Sequence, residues 1–371
     1  MERQMIKNKG NCSFLTILLL LLYLPTSAYA DAGTALMWVT VFHLLIGNAL
    51  IGILEGIVIA KIFGVRLKRS ILIMIPANYF SSIAGAFGVC HFNTLISSFA
   101  SIYNISYILF VLWAGSYFLT IVLEWPFCYW ILKGQENRKQ RSFKASVIAQ
   151  TVSYALLIPI YLSCSGVSLV TKTTVDKSLS FLKTKNAWVY FLSPKGDTLY
   201  KIRINGADKQ RVKESGIDNE YTHLFICNDN GKANLRIKWY KILPNHRSEE
   251  QSKVLLEDTP GVTTDKQNCG DKNAINFFDA LDLRSKNDRD WSVAAGGWAI
   301  EGLRGTNKKT KKSFWVALEA PFLAWSTSNA TVLPGQQVVC QIGNQIILFD
   351  INTSKIGLIT FGRSPVVALE K

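Results

Sequence analysis

The stretch GNALIGILEG, residues 47–56, lies inside an apolar run from 34 to 63 and carries two polar side chains, Asn48 and Glu55. The run is longer than the roughly 20 residues that a helix needs to cross a bilayer. Polar side chains at that depth normally face other helices rather than lipid. The stretch therefore predicts a membrane helix that belongs to a bundle.

Three further apolar stretches of membrane-spanning length follow, at about 71–89, 105–132 and 145–170. Charged residues are sparse in this half of the chain: residues 1–170 contain 12 Lys or Arg and 5 Asp or Glu, against 29 and 21 in residues 171–371. We predict an α-helical membrane bundle of four transmembrane helices in residues 31–170. Residues 171–371 have the composition of an ordinary soluble domain.

The N-terminus has the features of a secretory signal peptide over residues 1–30. A basic start precedes the apolar core FLTILLLLLYL, and the small-residue pattern Ala28-Tyr29-Ala30 predicts cleavage after Ala30. An uncleaved anchor would give the same orientation downstream. The chain is therefore expected to enter an export pathway.

The loops between the predicted spans differ in charge. The first and third loops are basic, whereas the second, residues 90–104, has no Lys or Arg. The basic residues are Lys61, Arg66, Lys68 and Arg69 in the first loop and Lys133, Arg138, Lys139, Arg141 and Lys144 in the third. The positive-inside rule places both basic loops in the cytoplasm. We predict an inner or plasma membrane protein with its mature N-terminus and C-terminal domain outside the cytoplasm.

Each span carries a polar side chain at a similar depth. Counted from the nearest basic loop residue, these side chains lie six to nine residues into the span, or roughly 9 to 13 Å at the helical rise of 1.5 Å per residue. They are Glu55, Asn78, Glu124 and Gln150. Asn48 is close to two turns from Glu55 and shares its face. Gly52, on the same face, has no side chain and lets another helix approach closely. The sequence predicts an intramembrane polar layer of Asn48, Glu55, Asn78, Glu124 and Gln150.

Two carboxyl groups near each other in a low dielectric cannot comfortably both ionise. No Lys or Arg lies within the spans at the level of the layer. A proton or a bound cation is therefore the expected neutralising partner. Two interpretations stay open: a hydrogen-bonded clamp that fixes the register of the helices, and an ion or small-substrate site.

Beyond residue 170 the pattern changes to short β-like segments, and Asn205-Gly206 between two apolar runs indicates a hairpin. The segments AWVYFLSPKGDTLYKIRINGADKQRV (187–212) and VVCQIGNQIILFDINTSKIGLITFG (338–362) resemble blades of TolB-like or YWTD-like β-propellers. At roughly 40 to 45 residues per blade, residues 181–371 have room for about four, although the polar stretch 258–290 does not fit the pattern. The expected fold is all-β and propeller-like, with a β-sandwich as the alternative. The resemblance implies a rigid platform more often than an enzyme.

The sequence shows no catalytic signature. The patterns GxSxG, HExxH, GxxxxGK[ST] and DxDxDG are absent, and the seven cysteines and four histidines lack metal-ligand spacing. We predict no catalytic residues, no metal and no cofactor. Cys227, Cys269 and Cys340 are compatible with one disulfide and a leftover thiol, or with burial as small apolar residues.

The lysine run 308–312 has no interleaved aromatic residues, which indicates a solvated hairpin loop rather than a nucleic-acid contact. The predicted function is a membrane-anchored extracytoplasmic binding or scaffold protein, whose β-domain binds a protein partner or a small ligand. The alternative is a small transporter or channel-like protein with an intramembrane proton, cation or substrate site. That site would consist of Glu55, Asn78, Glu124 and Gln150.

Overall fold

Four long apolar helices and a large set of β-strands make up the computed structural model. It describes residues 34–217, 222–229, 232–242, 248–259, 280–285, 288–296 and 301–370. The predicted signal peptide and Cys269 lie outside the described residues. The chain divides into two compact units. The helical unit comprises the residues up to Phe92 and Val111–Ser165, and the β unit comprises Asn93–Phe110 and Gly166–Lys371.

The four predicted transmembrane helices are confirmed as long apolar helices. They are α1 (Ala35–Phe63), α2 (Leu67–Phe99), α3 (Ile105–Ile131) and α4 (Arg138–Cys164), followed by a short α5 (Ser168–Thr171). Each of α1 to α4 contains an apolar window long enough to cross a membrane. Within α1, a π-helical turn over His43–Gly47 separates two α-helical segments.

The limits of α1 follow from its terminal residues. The side-chain oxygen of Thr34 accepts a hydrogen bond from the backbone N–H of Met37 at 3.0 Å, which caps the first turn. The helix ends at Gly64, whose φ of +69° lies in the left-handed region. Glycine enters this region without the steric penalty of a Cβ atom, so it stops the helix before the first basic loop.

Two glycines bring α1 against α2. A Cβ atom on Gly52 would lie 2.6 Å from the Cα atom of Ile75, and one on Gly56 would lie 2.7 Å from that of Ile71. Only glycine fits at such distances, because the obstacle is backbone. An apolar core joins all four helices near their basic end: Ile59, Phe63, Met74, Ala77, Cys128, Ile131, Leu132, Ala145 and Ala149.

The β unit contains eighteen strands among the described residues. They are β1 (Thr174–Val175), β2 (Ala187–Leu192), β3 (Thr198–Arg203), β4 (Gln210–Glu214), β5 (His223–Asp229), β6 (Lys232–Ile242), β7 (Ser248–Leu256), β8 (Leu281–Asp282), β9 (Trp291–Ala295), β10 (Leu303–Asn307), β11 (Ser313–Val316), β12 (Leu318–Ala320), β13 (Leu323–Trp325), β14 (Thr327–Leu333), β15 (Gln337–Ile342), β16 (Gln345–Asp350), β17 (Lys355–Phe361) and β18 (Arg363–Leu369). The all-β prediction for the C-terminal region is confirmed at this level.

The described strands form five sheets, and none of them closes into a barrel. One sheet has the order β18-β2-β3-β4 and is antiparallel throughout, so the last strand of the chain pairs with β2. Strands β14 to β17 pair antiparallel in chain order, with β8 and β1 added in parallel at the two edges. The other sheets are β5-β6-β7, β11-β10-β9 and β12-β13.

The hairpin predicted at Asn205-Gly206 joins β3 to β4. The backbone N–H of Arg203 donates to the carbonyl of Ala207 at 2.9 Å, and the φ of Gly206 is +86°. The lysine run likewise lies between the antiparallel strands β10 and β11, with Lys308, Lys309, Lys311 and Lys312 exposed.

Residues 93–110, which the sequence assigned to the membrane part, belong to the β unit. Four apolar side chains of this segment are buried in the core of that unit: Ala100, Ile102, Ile105 and Leu109. They join a cluster that includes Trp325 and Phe349. The backbone N–H of Ile102 also donates to Gln345 Oε1 at 2.8 Å. The segment that connects α2 to α3 is therefore a structural part of the β unit.

Candidate functional site

Glu55 is the most buried carboxyl group among the described residues of the helical unit, with 0% of the residue exposed. It lies on the face of α1 that Gly52 and Gly56 keep close to α2. Its Oε2 accepts a hydrogen bond from Asn78 Nδ2 at 2.6 Å. Its Oε1 accepts from Ser153 Oγ at 2.5 Å and from Gln150 Nε2 at 3.2 Å. Helices α2 and α4 thus both supply donors to this carboxyl group.

Glu124, on α3, is 1% exposed. Its Oε1 accepts a hydrogen bond from Ser81 Oγ at 2.7 Å, and its Oε2 accepts from Gln150 Nε2 at 2.6 Å. One nitrogen atom of Gln150 therefore contacts both carboxyl groups, and Glu55 and Glu124 are close enough to interact as a side-chain pair. The hydrogen-bonded group is called the carboxyl cluster here, and its members are Glu55, Asn78, Ser81, Glu124, Gln150 and Ser153.

Four of the five residues of the predicted polar layer meet in the carboxyl cluster, one from each long helix. Asn48 does not reach it. The Oδ1 atom of Asn48 instead accepts a hydrogen bond from Ser82 Oγ at 2.7 Å, on a neighbouring turn of the same α1–α2 contact. Asn48 is thus buried and satisfied by a separate hydrogen bond.

Two members of the carboxyl cluster were missed by the sequence analysis, Ser81 and Ser153. Each lies three residues after a predicted member, Asn78 or Gln150, and residues three apart on a helix share a face. Their spacing was the available signal. Serine alone is a weak signal because its hydroxyl is commonly satisfied by the carbonyl of a preceding turn. The bond from Ser163 Oγ to the carbonyl of Ile160 at 2.8 Å is an example.

The carboxyl cluster contains two acidic side chains and no basic side chain. All its donors are neutral hydroxyl or amide groups, and neither Glu55 nor Glu124 forms an ion pair within the described residues. An ionised carboxylate only accepts hydrogen bonds, and two such anions side by side in a medium of low dielectric repel each other strongly. A proton on the pair would remove this repulsion, and a protonated carboxyl group still accepts hydrogen bonds.

His43 lies on the π-helical turn of α1, away from the carboxyl cluster. Its Nδ1 atom is 2.7 Å from the hydroxyl of Tyr161, and the two rings are tilted with centroids 5.8 Å apart. Trp113 packs edge-on against the same tyrosine. This contact gives His43 a partner on α4.

One ion pair of the β unit joins a partly exposed lysine to a buried aspartate. Lys183 Nζ lies 2.6 Å from the buried Oδ2 of Asp350, whose Oδ1 accepts the backbone N–H groups of Asn352 and Thr353 at 3.0 Å each. Burial acts to raise the pKa of Asp350, but the bonds from Lys183 and Thr353 outweigh it and hold the pKa below its usual range. These contacts close the turn after β16 and give both carboxylate oxygens of Asp350 a partner within the fold.

The cysteines divide into bonded and free. Cys227 is disulfide-bonded, and Cys340 is free and buried, with its thiol pKa raised by burial. Cys128 and Cys164 are also free. Within the described ranges, no group of three or more His, Cys, Asp or Glu side chains is placed to hold a metal ion.

The chain matches no protein-family model, and a search of curated proteins finds no significant match. The functional proposal is therefore based on the geometry of the carboxyl cluster.

Proposed function

We propose that this protein is a small proton-coupled transporter or channel-like membrane protein, in which the Glu55–Glu124 pair binds the proton. The observation that supports this best is the bridging of two fully buried carboxyl groups by the single amide of Gln150. Ionisable side chains inside membrane spans are costly, and they commonly mark ion or proton pathways. A purely structural clamp needs only amides and hydroxyls, so two carboxyl groups are more than register alone requires.

The donor pattern favours a proton over a metal cation. Asn78 and Gln150 direct N–H groups at the carboxyl oxygens, and Ser81 and Ser153 direct hydroxyls at them. A hard cation needs several converging oxygen ligands, whereas the groups that face the carboxyl oxygens here are N–H and O–H donors. A proton needs only one oxygen of the pair.

The proposed location is an inner or plasma membrane, with the basic loops in the cytoplasm and the β unit outside. The charge bias of the loops supports this orientation. The disulfide at Cys227 supports it independently, because such bonds persist in oxidising compartments and are rare in the cytosol.

Proton flux into vesicles tests the proposal. Purified protein is reconstituted into liposomes that contain a pH-sensitive dye, and an inward proton gradient is imposed with valinomycin and K⁺ as charge compensation. Wild-type vesicles should acidify faster than empty ones, and Glu55→Gln and Glu124→Gln should remove the difference. Glu136→Gln provides the matched control, because Glu136 is an exposed carboxyl group of the third loop.

Thermal unfolding in detergent separates proton from cation binding. If the folded pair keeps a proton that the unfolded chain releases, the free energy of unfolding falls as pH rises. We expect this pH dependence in wild type and not in Glu124→Gln. Na⁺, K⁺ or Ca²⁺ should have no specific effect, whereas a bound cation at about 100 times its dissociation constant would add roughly 2.7 kcal/mol. Equal curves for wild type and variant, with no flux, would leave the cluster as a clamp.

The second candidate function is extracytoplasmic binding or scaffolding by a propeller-like β unit. Propeller blades are four-stranded sheets, and the sheet β18-β2-β3-β4 is four-stranded and antiparallel. Strands β14 to β17 are also four consecutive antiparallel strands, within a sheet of six. Both blade-like segments of the sequence fall in these sheets. If the protein is a binding protein, the β unit should still bind its partner after the helical unit is removed. If it is a transporter, proton flux should be lost with the helical unit.

A further inference from the structure

An open groove of about 400 Å³ lies at the N-terminal end of α2. Three of its lining side chains are basic and two are apolar: Arg66, Lys68, Arg69, Leu72 and Ile73. The groove is amphipathic along the helix, because the basic residues precede the apolar ones by about one turn.

The basic half of the groove has an excess of positive charge. Arg69 Nη2 donates to the carbonyl of Trp130, near the end of α3, at 2.5 Å, which fixes this guanidinium. Arg66 and Lys68 are exposed, and neither pairs with a carboxylate in the described part of the chain. The first turn of α2 has no acidic residue, so the positive end of the helix dipole adds to the same potential.

The two apolar residues of the groove differ in exposure: Leu72 is exposed, whereas Ile73 is partly buried against the helical core. Leu72 is 62% exposed, and so is Trp130 on α3, whose carbonyl accepts the hydrogen bond from Arg69. Exposed apolar side chains one turn into a membrane-spanning helix contact acyl chains, and tryptophan is typical of the headgroup level. A soluble anion would use the cations and leave the exposed Leu72 without a role.

We propose that this groove binds an anionic phospholipid, with the headgroup phosphate on Arg66 and Lys68 and an acyl chain along Leu72 and Ile73. The charge fits an anionic headgroup, and the order of basic and apolar residues along α2 fits the order of headgroup and chain in a leaflet. Clusters of Lys and Arg next to a transmembrane helix attract anionic lipids in this way.

Native mass spectrometry of the full-length protein in detergent tests the proposal. The protein is titrated with phosphatidylglycerol or with phosphatidylcholine of identical acyl chains, and bound lipid is counted. Wild type should retain phosphatidylglycerol preferentially. Arg66→Gln with Lys68→Gln should weaken that retention about fivefold for each cation removed. Both side chains are exposed, so the fold should be unaffected.

The matched control is Lys139→Gln with Lys144→Gln, which removes the same charge from exposed positions outside the groove. It should retain phosphatidylglycerol like wild type. Equal loss in both double variants would show a diffuse charge effect and overturn the site. Equal retention of the two lipids by wild type would also overturn it, and so would displacement of phosphatidylglycerol by millimolar inorganic phosphate, which would identify a free-anion site.

Discussion

At the scale of single residues, Glu55 and Glu124 show how well a residue's depth in the membrane, counted along its helix, predicts which side chains form a site. The sequence placed four polar residues at one level because rise per residue is the same in every helix. The sequence could not show which of these side chains face the Glu55–Glu124 pair, because the rotation of each helix about its axis depends on packing against its neighbours. Asn48 shares a face with Glu55, yet its partner is Ser82. Conversely, Ser81 and Ser153 were identifiable only after Asn78 and Gln150 were known to point inward.

A prediction at the residue scale concerns His223 in the β unit. Burial, together with the charges of Lys238 and Arg363, lowers the pKa of His223 to about 4. An unfolded histidine titrates near 6.5, so the unfolded state takes up the proton first. Stability from this residue is therefore complete above about pH 6.5 and is lost as pH falls towards 4, by up to about 3 kcal/mol.

The measurement is the unfolding midpoint of the β unit in the full-length protein, followed by tryptophan fluorescence at pH 7 and pH 5. The wild-type midpoint should be lower at pH 5, and His223→Gln should flatten the difference. Asp176→Asn is the control, because hydrogen bonds from Ser180 and Ser178 lower the pKa of Asp176 to about 2, outside this range. A pH dependence that survives His223→Gln would contradict the assignment.

At the scale of elements, the close approach of α1 to α2 rests on glycines rather than on apolar pattern. Gly56→Ala places a Cβ atom 2.7 Å from the Cα of Ile71, and backbone cannot move aside as a side chain can. We expect a loss of about 1 to 3 kcal/mol of stability, the usual cost of overpacking. Because Glu55 is the neighbouring residue, the same variant should also slow proton flux.

Gly85→Ala is the matched substitution for this prediction, since nothing lies within 4 Å of a Cβ atom at that position of α2. It should be neutral or should stabilise the helix slightly, because alanine has the higher helix propensity. Thermal unfolding in detergent compares the two variants. Similar midpoints for Gly56→Ala and Gly85→Ala would mean that the α1–α2 contact is looser than the glycine geometry indicates.

The positions of the long helices and of one hairpin turn were predictable from the sequence, because the patterns that specify them are local. Apolar length located α1 to α4, and an Asn-Gly pair located the turn between β3 and β4. The pairing of β18 with β2 joins segments that are far apart in the chain, and no local pattern specifies such a contact. The embedding of residues 100–109 in the β unit is non-local in the same sense, because its apolar side chains look like the start of a membrane span.

At the scale of the whole molecule, this embedded segment decides what a soluble fragment must contain. A fragment limited to Gly166–Lys371 lacks Ile102, Ile105 and Leu109, which are 3%, 3% and 9% exposed in the complete unit. Burial of one large apolar side chain is worth about 1.5 to 3 kcal/mol, so the three together approach the 5 to 15 kcal/mol of a typical domain. We expect this fragment to aggregate or to bind hydrophobic dyes.

A second fragment should fold, in which residues 93–110 are joined to Gly166–Lys371 by a flexible Gly/Ser linker. It regains the apolar contacts and the bond from the Ile102 N–H to Gln345. The comparison uses gel filtration, dye binding and thermal unfolding of both fragments. Ile105→Asn in the linked fragment should abolish the gain, whereas Tyr107→Asn, at a side chain that is 70% exposed, should preserve it. If the shorter fragment is equally monomeric and stable, the β unit does not depend on the segment between α2 and α3, and the two functions proposed for this chain can be studied on separately produced pieces.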